Sequence, residues 1–348
     1  MTVPVTAREY HLAKPGSADN LAIRTKTVES PRANEVLVKI HAVSLQYRDL
    51  MVASGMYIVQ CLDDLVPCSD MAGEIVAVGE DVRGWKKGDR VCANFAAEHL
   101  YGDTDLEIQR SSFGAQAQGV LTEYRTFPSH SLVSIPQHLS YEEASTLPCA
   151  AVTAYNALLG PVPIKAGDHV LILGTGGVSI FALQFALSSG ATVIVTSSSD
   201  DKLKTATKLG AKYVINYNKT PNWDEEVLKI TNGVGVDHVI EVGGYGTLAK
   251  SMNSVRYAGY LHLIGFVAQK NIDVDIVTKS VWKAITLRGI QIGSVAQFKD
   301  MNRLISANPE KTRPIVDKVF PFEEAKQAYA YLKSQAHVGK VVIKVSRD

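Results

Sequence analysis

The chain has 348 residues, of which 46% are hydrophobic and 20% charged, and its formal net charge is +1. This composition is typical of a globular protein of two domains, and the near-neutral charge gives no electrostatic case for nucleic acid or a membrane surface as a partner. Four cysteines without disulfide-type spacing, and a first segment without signal-peptide features, predict a cytoplasmic location.

The first third of the chain carries short segments in which apolar and polar residues alternate between turn residues, a pattern that predicts strands. The predicted strands are residues 21–28, 35–43, 71–78, 90–93, 120–127 and 131–135. A helix is predicted over residues 46–56, and residues 94–120 form a long polar loop of the kind that often binds ligands. Short strands ahead of any regular alternation with helices predict a β-rich, barrel-like domain over residues 1–155.

Two helices are predicted near the end of this domain. Ser140 and Glu143 have the spacing of a capping box, so a helix begins there and runs to about residue 147. Pro148 is predicted to interrupt it, and a second helix follows to residue 159.

From residue 168 the pattern changes to a regular alternation of apolar strands and helices. The predicted strands are residues 169–173, 191–195, 213–217, 236–241, 259–265 and 285–292, and the predicted helices are residues 177–188, 200–209, 223–231 and 246–255. This α/β alternation predicts a doubly wound parallel sheet covered on both faces, in a domain of residues 156–290. Residues 291–348 end in a predicted strand and are expected to return to the first domain.

The segment of residues 169–187 combines a buried strand, a glycine turn and a helix, which is the arrangement that binds a dinucleotide. Gly174 and Gly176 fill the first two glycine positions of that fingerprint, and Ser179 stands at the third. The helix that follows directs its positive end at the phosphates. The alternatives are an ordinary structural turn or a membrane-spanning segment, and the turn residues in the middle argue against the second.

The end of the next strand indicates which dinucleotide binds. NAD-specific sites have an acidic residue there, whereas this chain has Ser197, followed by Lys202. Hydroxyl groups and a cation suit the 2′-phosphate of NADP(H), which is the predicted cofactor. Two alternatives remain. Residues 197–199 would merely cap the next helix, or Asp200 or Asp201 would bind the ribose of NAD.

Three segments together carry a family resemblance: residues 73–79 with 88–91, residues 147–156 and residues 173–178. Across nearly its full length the chain resembles a medium-chain dehydrogenase/reductase. It is most similar to the zinc-free quinone oxidoreductase-like branch, whose members are often called zinc-type alcohol dehydrogenase-like. The resemblance implies a GroES-like catalytic domain and a Rossmann domain.

The resemblance also raises the question of zinc. Zinc-dependent relatives hold the metal through a Cys, the His of a Gly-His-Glu group and a later Cys, and the matching positions here hold Gln46, Ser69 and Cys149. One thiol cannot build a catalytic site of three protein ligands, and residues 94–120 lack the four Cys of the structural zinc lobe. We therefore expect no metal, with Cys149 as a packed thiol.

Without a Lewis acid, hydride transfer needs an acceptor whose conjugation spreads the developing negative charge. The resemblance therefore implies an NADPH-dependent, zinc-independent oxidoreductase acting on a small molecule, either a quinone or an α,β-unsaturated carbonyl compound. The alternatives are an alcohol dehydrogenase or ketone reductase of the same fold, and a non-catalytic NADP(H)-binding protein. The resemblance allows a homodimer.

The catalytic candidates are Gln46, Tyr47 and Tyr57. Gln46 and Tyr47 are expected to donate hydrogen bonds to the acceptor, and Tyr57 to form a wall of its pocket. The alternative for Tyr47 is packing under its helix, and Arg48 and Asp49 are interpreted as a structural ion pair or a cap.

Cofactor contacts are predicted where polar residues and glycines follow strand ends. The predicted set is Thr153, Gly174, Thr175, Gly176, Gly177, Val178, Ser197, Ser198, Lys202, Tyr217, Gly243, Gly265, Phe266, Val267, Gly293 and Lys340. Tyr217 is expected to lie near the adenine or the 2′-phosphate, and Lys340 to reach a phosphate, with surface exposure as the alternative for both. For the glycines the alternative is turn geometry alone.

Overall fold

The computed structural model describes residues 3–265 and 275–346, and the chain divides into two compact units. Unit 1 comprises Met1–Val152, Ile292–Pro309 and Arg313–Asp348, and unit 2 comprises Thr153–Gln291 and Glu310–Thr312. Within the described part of the chain, no helix combines the length and the apolar character that crossing a membrane requires.

The first stretch of unit 1 consists mainly of strands. Its elements are β1 (Thr6–Leu12), β2 (Leu21–Thr27), β3 (Glu35–Ser44), α1 (Tyr47–Ser54), β4 (Asp70–Val78), β5 (Arg90–Ala93), α2 (Leu106–Arg110), β6 (Tyr124–Pro128), β7 (Leu132–Ser134) and α3 (Tyr141–Ala144). The predicted strands of this stretch are confirmed, although β6 is shorter than predicted. The segment predicted as a loop, residues 94–120, contains the short helix α2.

Unit 2 alternates strands and helices, as predicted. Its elements are α4 (Val152–Leu159), β8 (His169–Leu173), α5 (Gly177–Ser188), β9 (Thr192–Ser197), α6 (Asp200–Lys208), β10 (Tyr213–Asn216), α7 (Trp223–Ile230), β11 (Val236–Glu241), α8 (Leu248–Ser254), β12 (Val255–Leu263), α9 (Ile276–Lys283) and β13 (Thr286–Gly289). The chain then adds α10 (Val295–Ala307), β14 (Val316–Pro321), α11 (Ala325–Lys333) and β15 (Lys340–Lys344), which belong to unit 1.

The sheet of unit 2 has six strands in the order β10-β9-β8-β11-β12-β13, and every neighbouring pair is parallel. This confirms the predicted doubly wound sheet. From β8 the next two strands, β9 and β10, are added on one side, and β11, β12 and β13 are then added on the other side of β8. Such a reversal opens a crevice at the carboxyl ends of the central strands, where sheets of this type bind ligands.

The main sheet of unit 1 has the order β14-β15-β3-β4-β5-β7, with β6 paired to β3, and a separate two-stranded sheet joins β1 to β2. The last strand, β15, pairs antiparallel to β3, so that Val342 lies opposite Ser44. The backbone N–H of Leu45 also donates to the Val341 carbonyl at 3.0 Å. The tail of the chain therefore lies beside the segment that begins α1.

Pro148 does not separate two helices as predicted, because Leu147–Ala151 form a π-helical turn that leads directly into α4. The proline lies in the first turn of this segment, where its missing N–H is not needed. The N–H groups of a first turn have no acceptor within the helix, so that of Cys149 is available to a side chain.

Candidate functional site

The glycine turn between β8 and α5 has the geometry that a phosphate needs. Gly174 has a φ of 74°, in the left-handed region that favours glycine, and Gly176 is the N-cap of α5. A Cβ added at Gly176 would meet no atom within 4 Å. Ser179, the departure from the fingerprint, donates its hydroxyl to the Leu173 carbonyl at 2.7 Å and ties the helix to the strand. The turn therefore leaves open space in front of the N–H groups of α5, which suits a pyrophosphate.

The loop after β11 is ordered by a buried carboxylate that the sequence interpretation missed. Glu241 is fully buried and accepts hydrogen bonds from the backbone N–H groups of Gly243 (2.7 Å) and Gly244 (2.9 Å). It also accepts hydrogen bonds from the hydroxyl groups of Thr247, at 2.6 Å, and Ser251. The signal in the sequence was an acidic residue at the end of an apolar strand. Glu241 fixes the backbone at Gly243, one of the predicted cofactor contacts.

Several predicted cofactor residues lie at the carboxyl ends of β9 and β10. The backbone N–H of Tyr217, a residue 40% exposed, donates to the Ser197 carbonyl at 3.0 Å. Ser197 is buried, Ser198 is exposed, and Lys202 is half-buried in the first turn of α6. The structure therefore brings Ser197 and Tyr217 together, and for Tyr217 it also confirms the exposure given as the alternative.

Asp200, the alternative ligand for the ribose of NAD, is engaged elsewhere. Its carboxylate accepts hydrogen bonds from the Asn216 amide at 2.7 Å and from the Lys219 ammonium at 2.5 Å. The Asn216 bond, followed by the Lys219 bond, lowers the pKa of Asp200. The carboxylate of Asp200 therefore points toward the end of β10.

Thr153, Gly265 and Gly293 are three further predicted cofactor residues that the structure describes. A Cβ added at Gly265 would lie 2.2 Å from the Val242 carbonyl oxygen, so the loop after β11 requires this glycine. Thr153 is 2% exposed, and its hydroxyl has no partner among the described residues. A Cβ at Gly293 would lie 2.6 Å from a methyl carbon of Val152, so a close approach of two segments requires this glycine. Phe266 and Val267 lie outside the described residues. An orphaned buried hydroxyl such as that of Thr153 is a group that a ligand satisfies.

Unit 1 contains a cluster of buried polar groups around Asp70, which we name the Asp70 cluster. The side chain of Asp70 is fully buried and accepts the Gln46 amide N–H at 2.6 Å, the Cys149 backbone N–H at 2.9 Å and the Ser69 hydroxyl at 2.6 Å. Burial raises the pKa of Asp70 to about 6, against the opposing influence of the Lys340 ammonium. These residues come from four separate parts of the chain.

Lys340 lies inside this cluster and is 4% exposed. Its ammonium donates to the Leu45 carbonyl at 2.5 Å, because the pairing of β15 with β3 directs it inward. Burial lowers the pKa of Lys340, while the Asp70 carboxylate raises it. Surface exposure, the alternative for this residue, is wrong, and its contact with a phosphate stays a prediction.

The three catalytic candidates have different environments. Gln46 is the buried N-cap of α1, and its side-chain amide is bonded to Asp70. Tyr47 is 40% exposed, so it does not pack under its helix, and it lines a groove of about 340 Å³. Tyr57 is half-buried beside the Arg48 guanidinium, which lies 5.0 Å from the centre of its ring. Gln46 is therefore part of the Asp70 cluster, whereas Tyr47 lines the groove of about 340 Å³.

Arg48 and Asp49 do not form the ion pair that was one interpretation. Asp49 caps α1, because its carboxylate accepts the backbone N–H of Gln46 at 2.7 Å. Arg48 donates one N–H to the Phe113 carbonyl at 2.8 Å and packs against aromatic rings. Neighbours in a helix point in different directions, which explains this separation.

The residues at the positions of the zinc ligands do not fit a zinc ion. A metal needs lone pairs, but the Gln46 amide nitrogen and the Ser69 hydroxyl are donors to Asp70. Burial, followed by the Asp70 charge, raises the pKa of the Cys149 thiol, which disfavours the thiolate. In the described parts of the chain, no group of three or more His, Cys, Asp or Glu side chains is placed to hold a metal ion.

Two family models match the chain. The model described as zinc-binding dehydrogenase matches residues 177–307, and the alcohol dehydrogenase GroES-like domain matches residues 32–137. The second match confirms the predicted GroES-like domain.

Relatives of known name are similar over most of the chain. A zinc-type alcohol dehydrogenase-like protein of Schizosaccharomyces pombe is 50% identical over 316 residues, which cover 89% of this chain and 91% of that protein. A quinone oxidoreductase of Sus scrofa is 27% identical over 90% of each chain. The crystal structure of a putative alcohol dehydrogenase from Sinorhizobium meliloti has a TM-score of 0.90 and 35% identity, and the match covers 99% of this chain and 100% of that one. The chain therefore belongs to the medium-chain dehydrogenase/reductase superfamily of oxidoreductases, in its quinone oxidoreductase-like branch.

Proposed function

We propose that the protein is an NADPH-dependent, zinc-independent oxidoreductase that transfers hydride to quinones or α,β-unsaturated carbonyl compounds. The observation that carries this proposal is the Asp70 cluster. Where zinc-dependent relatives have metal ligands, this chain has N–H and O–H donors that are bonded to a buried carboxylate. A reaction at this centre has no Lewis acid and depends on hydrogen bonds.

A conjugated acceptor suits such a centre. When hydride adds to the β-carbon, the π electrons move to the carbonyl oxygen and form an enolate, which a proton then neutralises. The Gln46 amide has two N–H groups and gives one to Asp70, so the other is available to the enolate oxygen. Because Asp70 fixes the amide, this donor is oriented before the charge develops, which is the condition for electrostatic stabilisation of a transition state.

The glycine turn and the loop at Gly243 fit a dinucleotide. The N–H groups of α5 face the open space at Gly176 and would hold the pyrophosphate, and the orphaned Thr153 hydroxyl would donate to the nicotinamide portion. When bound, the reduced nicotinamide supplies the hydride. Val178, Thr175 and Gly177, in the same turn, are proposed contacts by position.

The choice of NADPH rests on the end of β9. Ser197 and Ser198 offer hydroxyls there, and Lys202 places a cation one turn further on. Asp200, the nearest acid of α6, is bonded to Asn216 and Lys219, so its negative charge is partly compensated. Such a surface accepts a 2′-phosphate better than a free carboxylate would.

An alcohol dehydrogenase or ketone reductase is the second candidate, favoured by the alcohol dehydrogenase-like names of two relatives. In that case hydride would add to the carbonyl carbon. The non-catalytic NADP(H)-binding protein is the third candidate. A homodimer and a cytoplasmic location stay predictions.

The test is NADPH oxidation with 9,10-phenanthrenequinone and with an enone, beside NADH, after exhaustive chelation and with the metal content measured. We expect turnover that prefers NADPH and survives chelation. Activity that is lost with chelator, or that is seen only with simple ketones and alcohols, would contradict the proposal. Tight NADPH binding without turnover of any acceptor would favour the binding protein.

A further inference from the structure

We infer that the Arg48 guanidinium binds a carboxylate of the acceptor, so that the enzyme prefers acceptors with an acidic side chain. This inference rests on the proposed function, because it assigns the class of acceptor that the same unit would take. It concerns a side chain that neither the sequence pattern nor the fold explains.

The guanidinium is held in a fixed plane. Its central carbon lies 4.6 Å from the centre of the Phe95 ring and 5.0 Å from that of Tyr57. One N–H, at Nη1, donates to the Phe113 carbonyl at 2.8 Å. Aromatic faces attract a guanidinium and restrict its rotation, so the direction of its remaining N–H groups is set.

The opposite edge of the same guanidinium has no partner. Nε and Nη2 are both buried, and neither has a hydrogen-bond acceptor among the described residues. These two nitrogens form one side of the guanidinium fork, and their N–H groups run nearly parallel. Two parallel N–H donors match the two oxygens of a carboxylate. Buried N–H groups are rarely left unsatisfied, so this edge is a place where a ligand completes the bonding.

In the parts of the chain that the structure describes, no carboxylate bonds to this edge. The neighbouring Asp49 directs its carboxylate to the backbone N–H of Gln46. Burial raises the pKa of Asp49 and the Arg48 charge opposes this rise, but no hydrogen bond joins that carboxylate to Nε or Nη2. Burial also raises the pKa of the Cys149 thiol, and the Arg48 charge again opposes the rise. Because the backbone N–H of Cys149 bonds to Asp70, the guanidinium lies near the Asp70 cluster. A guanidinium edge that no described carboxylate bonds suits an anionic ligand.

Tyr57, whose ring centre lies 5.0 Å from the guanidinium carbon, belongs to a segment outside the helices and strands. Residues 57–61 belong to no helix or strand, and Met56 and Ile58 on either side are 57% and 73% exposed. Phe95, whose ring centre lies 4.6 Å from the same carbon, is 5% exposed and packs with Cys149. The buried ring therefore supports the guanidinium, and the exposed segment supplies the access.

The experiment compares 3-(1,4-naphthoquinon-2-yl)propanoate with its methyl ester as acceptors. Two methylene groups insulate the ring, so the two quinones have similar reduction potentials and differ in charge. We expect the wild-type enzyme to have a kcat/KM at least about tenfold higher for the acid, since hydrogen bonds between charged groups are the strong ones. In R48M the ratio should fall to about one. In R48K, which keeps the charge and loses the fork, it should fall part of the way.

Arg83→Met is the matched control, because Arg83 is exposed and bonds only to the backbone carbonyls of Glu80 and Val82. This variant should keep the wild-type preference. Circular dichroism and the thermal midpoint show whether each variant is folded. Equal kcat/KM values for acid and ester in the wild type, or an unchanged preference in folded R48M, would overturn the inference.

A binding measurement separates this inference from the proposed function. Calorimetry with the acid and the ester, in the presence of NADP, needs no turnover. If the wild type reduces neither quinone, the proposed function fails, and the roughly tenfold tighter binding of the acid, lost in R48M, still supports the role of Arg48. If the quinones are reduced but bind with equal affinity, the role of Arg48 fails alone.

Discussion

The glycine turn of unit 2 and the Asp70 cluster of unit 1 present polar groups in different ways. The turn is built from the backbone of consecutive residues, and its side chains contribute little beyond being small. The cluster is built from side chains that are far apart in the sequence, at positions 46, 69, 70 and 340, together with the N–H of residue 149. Binding at a site built from the backbone requires open space in front of the N–H groups, whereas a site built from side chains needs each of its hydrogen-bond partners in place.

The two regions also handle charge differently. The turn presents the positive end of α5, and the first turn of that helix contains no acidic residue, so a ligand can supply the negative charge. The Asp70 cluster encloses a carboxylate and an ammonium together and shifts the pKa of each toward neutrality. Substitutions in the glycine turn should therefore lower the affinity for the ligand, whereas substitutions in the Asp70 cluster should lower the stability of the fold.

The largest effect is expected from Lys340→Met in the Asp70 cluster. It removes the buried ammonium that donates to the Leu45 carbonyl and whose charge opposes the rise that burial causes in the pKa of Asp70. Breaking a buried charge pair in direct contact costs about 3–5 kcal/mol of unfolding free energy, and since these two charges are not in direct contact we expect a loss of about 3 kcal/mol. Chemical denaturation of the variant measures this loss. The double variant Asp70→Asn with Lys340→Met should recover part of it, and equal losses in the single and double variants would contradict the coupling. The NADPH affinity of the single variant also tests the predicted phosphate contact.

Gly176→Asp should abolish phosphate binding at the turn without unfolding it. A Cβ there meets open space, but a carboxylate would face the phosphates, and juxtaposed like charges cost several kcal/mol. We expect NADPH affinity to fall by about 100-fold with little change in the thermal midpoint. Fluorescence titration measures the affinity. Val234→Asp, at an exposed site just before β11 and so at the opposite end of the sheet, is the control and should bind normally.

A histidine pair inside unit 2 gives a pH dependence of stability that is opposite in sign to that of the buried Asp70 in unit 1. Nδ1 of His238 lies 3.1 Å from Nε2 of His262, and burial, followed by the His238 charge, lowers the pKa of His262 to about 3. The folded state therefore keeps His262 neutral while the unfolded chain binds a proton below pH 6.5. The contribution of His262 to stability is complete above pH 6.5 and falls as the pH drops, by about 2 kcal/mol between pH 6.5 and 5. Protonation of Asp70 in unit 1 acts in the opposite direction over the same range.

His262→Gln should flatten this pH dependence of the thermal midpoint. His130→Gln, at an exposed site, is the control and should leave the wild-type slope unchanged. A slope in the His262 variant as steep as in the wild type would show that other groups cause it.

The smallest effect is expected from Ser198→Asp at the end of β9. An added carboxylate repels the 2′-phosphate of NADPH and accepts a hydrogen bond from the ribose 2′-hydroxyl of NADH. The ratio of NADPH to NADH affinity should therefore fall by about tenfold. Competitive titration with the two cofactors measures it. Thr192→Asp, at the other end of the same strand, should leave the ratio unchanged.

The turn could be predicted from the sequence because it is local. Strand, glycines and helix follow each other within residues 169–188, and the predicted bounds of β8 and α5 agree with the structure. The strand β14 was missed because Phe320 is its one buried residue, so it lacks an alternating apolar pattern. The helix α9 was missed for a similar reason, since none of its residues is buried.

In the Asp70 cluster, the family resemblance assigned Gln46, Ser69 and Cys149 to the positions of one site. The burial of Lys340 beside them could not be predicted from the sequence, because a pairing between distant strands causes it. The sequence predicted a strand at Lys340, but only the pairing of β15 with β3 turns its ammonium inward. Arg48 was missed because its partners, Phe95 and Phe113, follow it by many residues in a segment predicted as a loop.

The most direct measurement is a single turnover of metal-free protein with deuterated NADPH, labelled at the transferable position of C4, and an enone, followed by NMR of the product. We predict deuterium at the β-carbon, at a rate unchanged by added zinc. Deuterium at the carbonyl carbon, or product that forms only after zinc is added back, would contradict the conclusion that the Asp70 cluster supports hydride transfer without a metal.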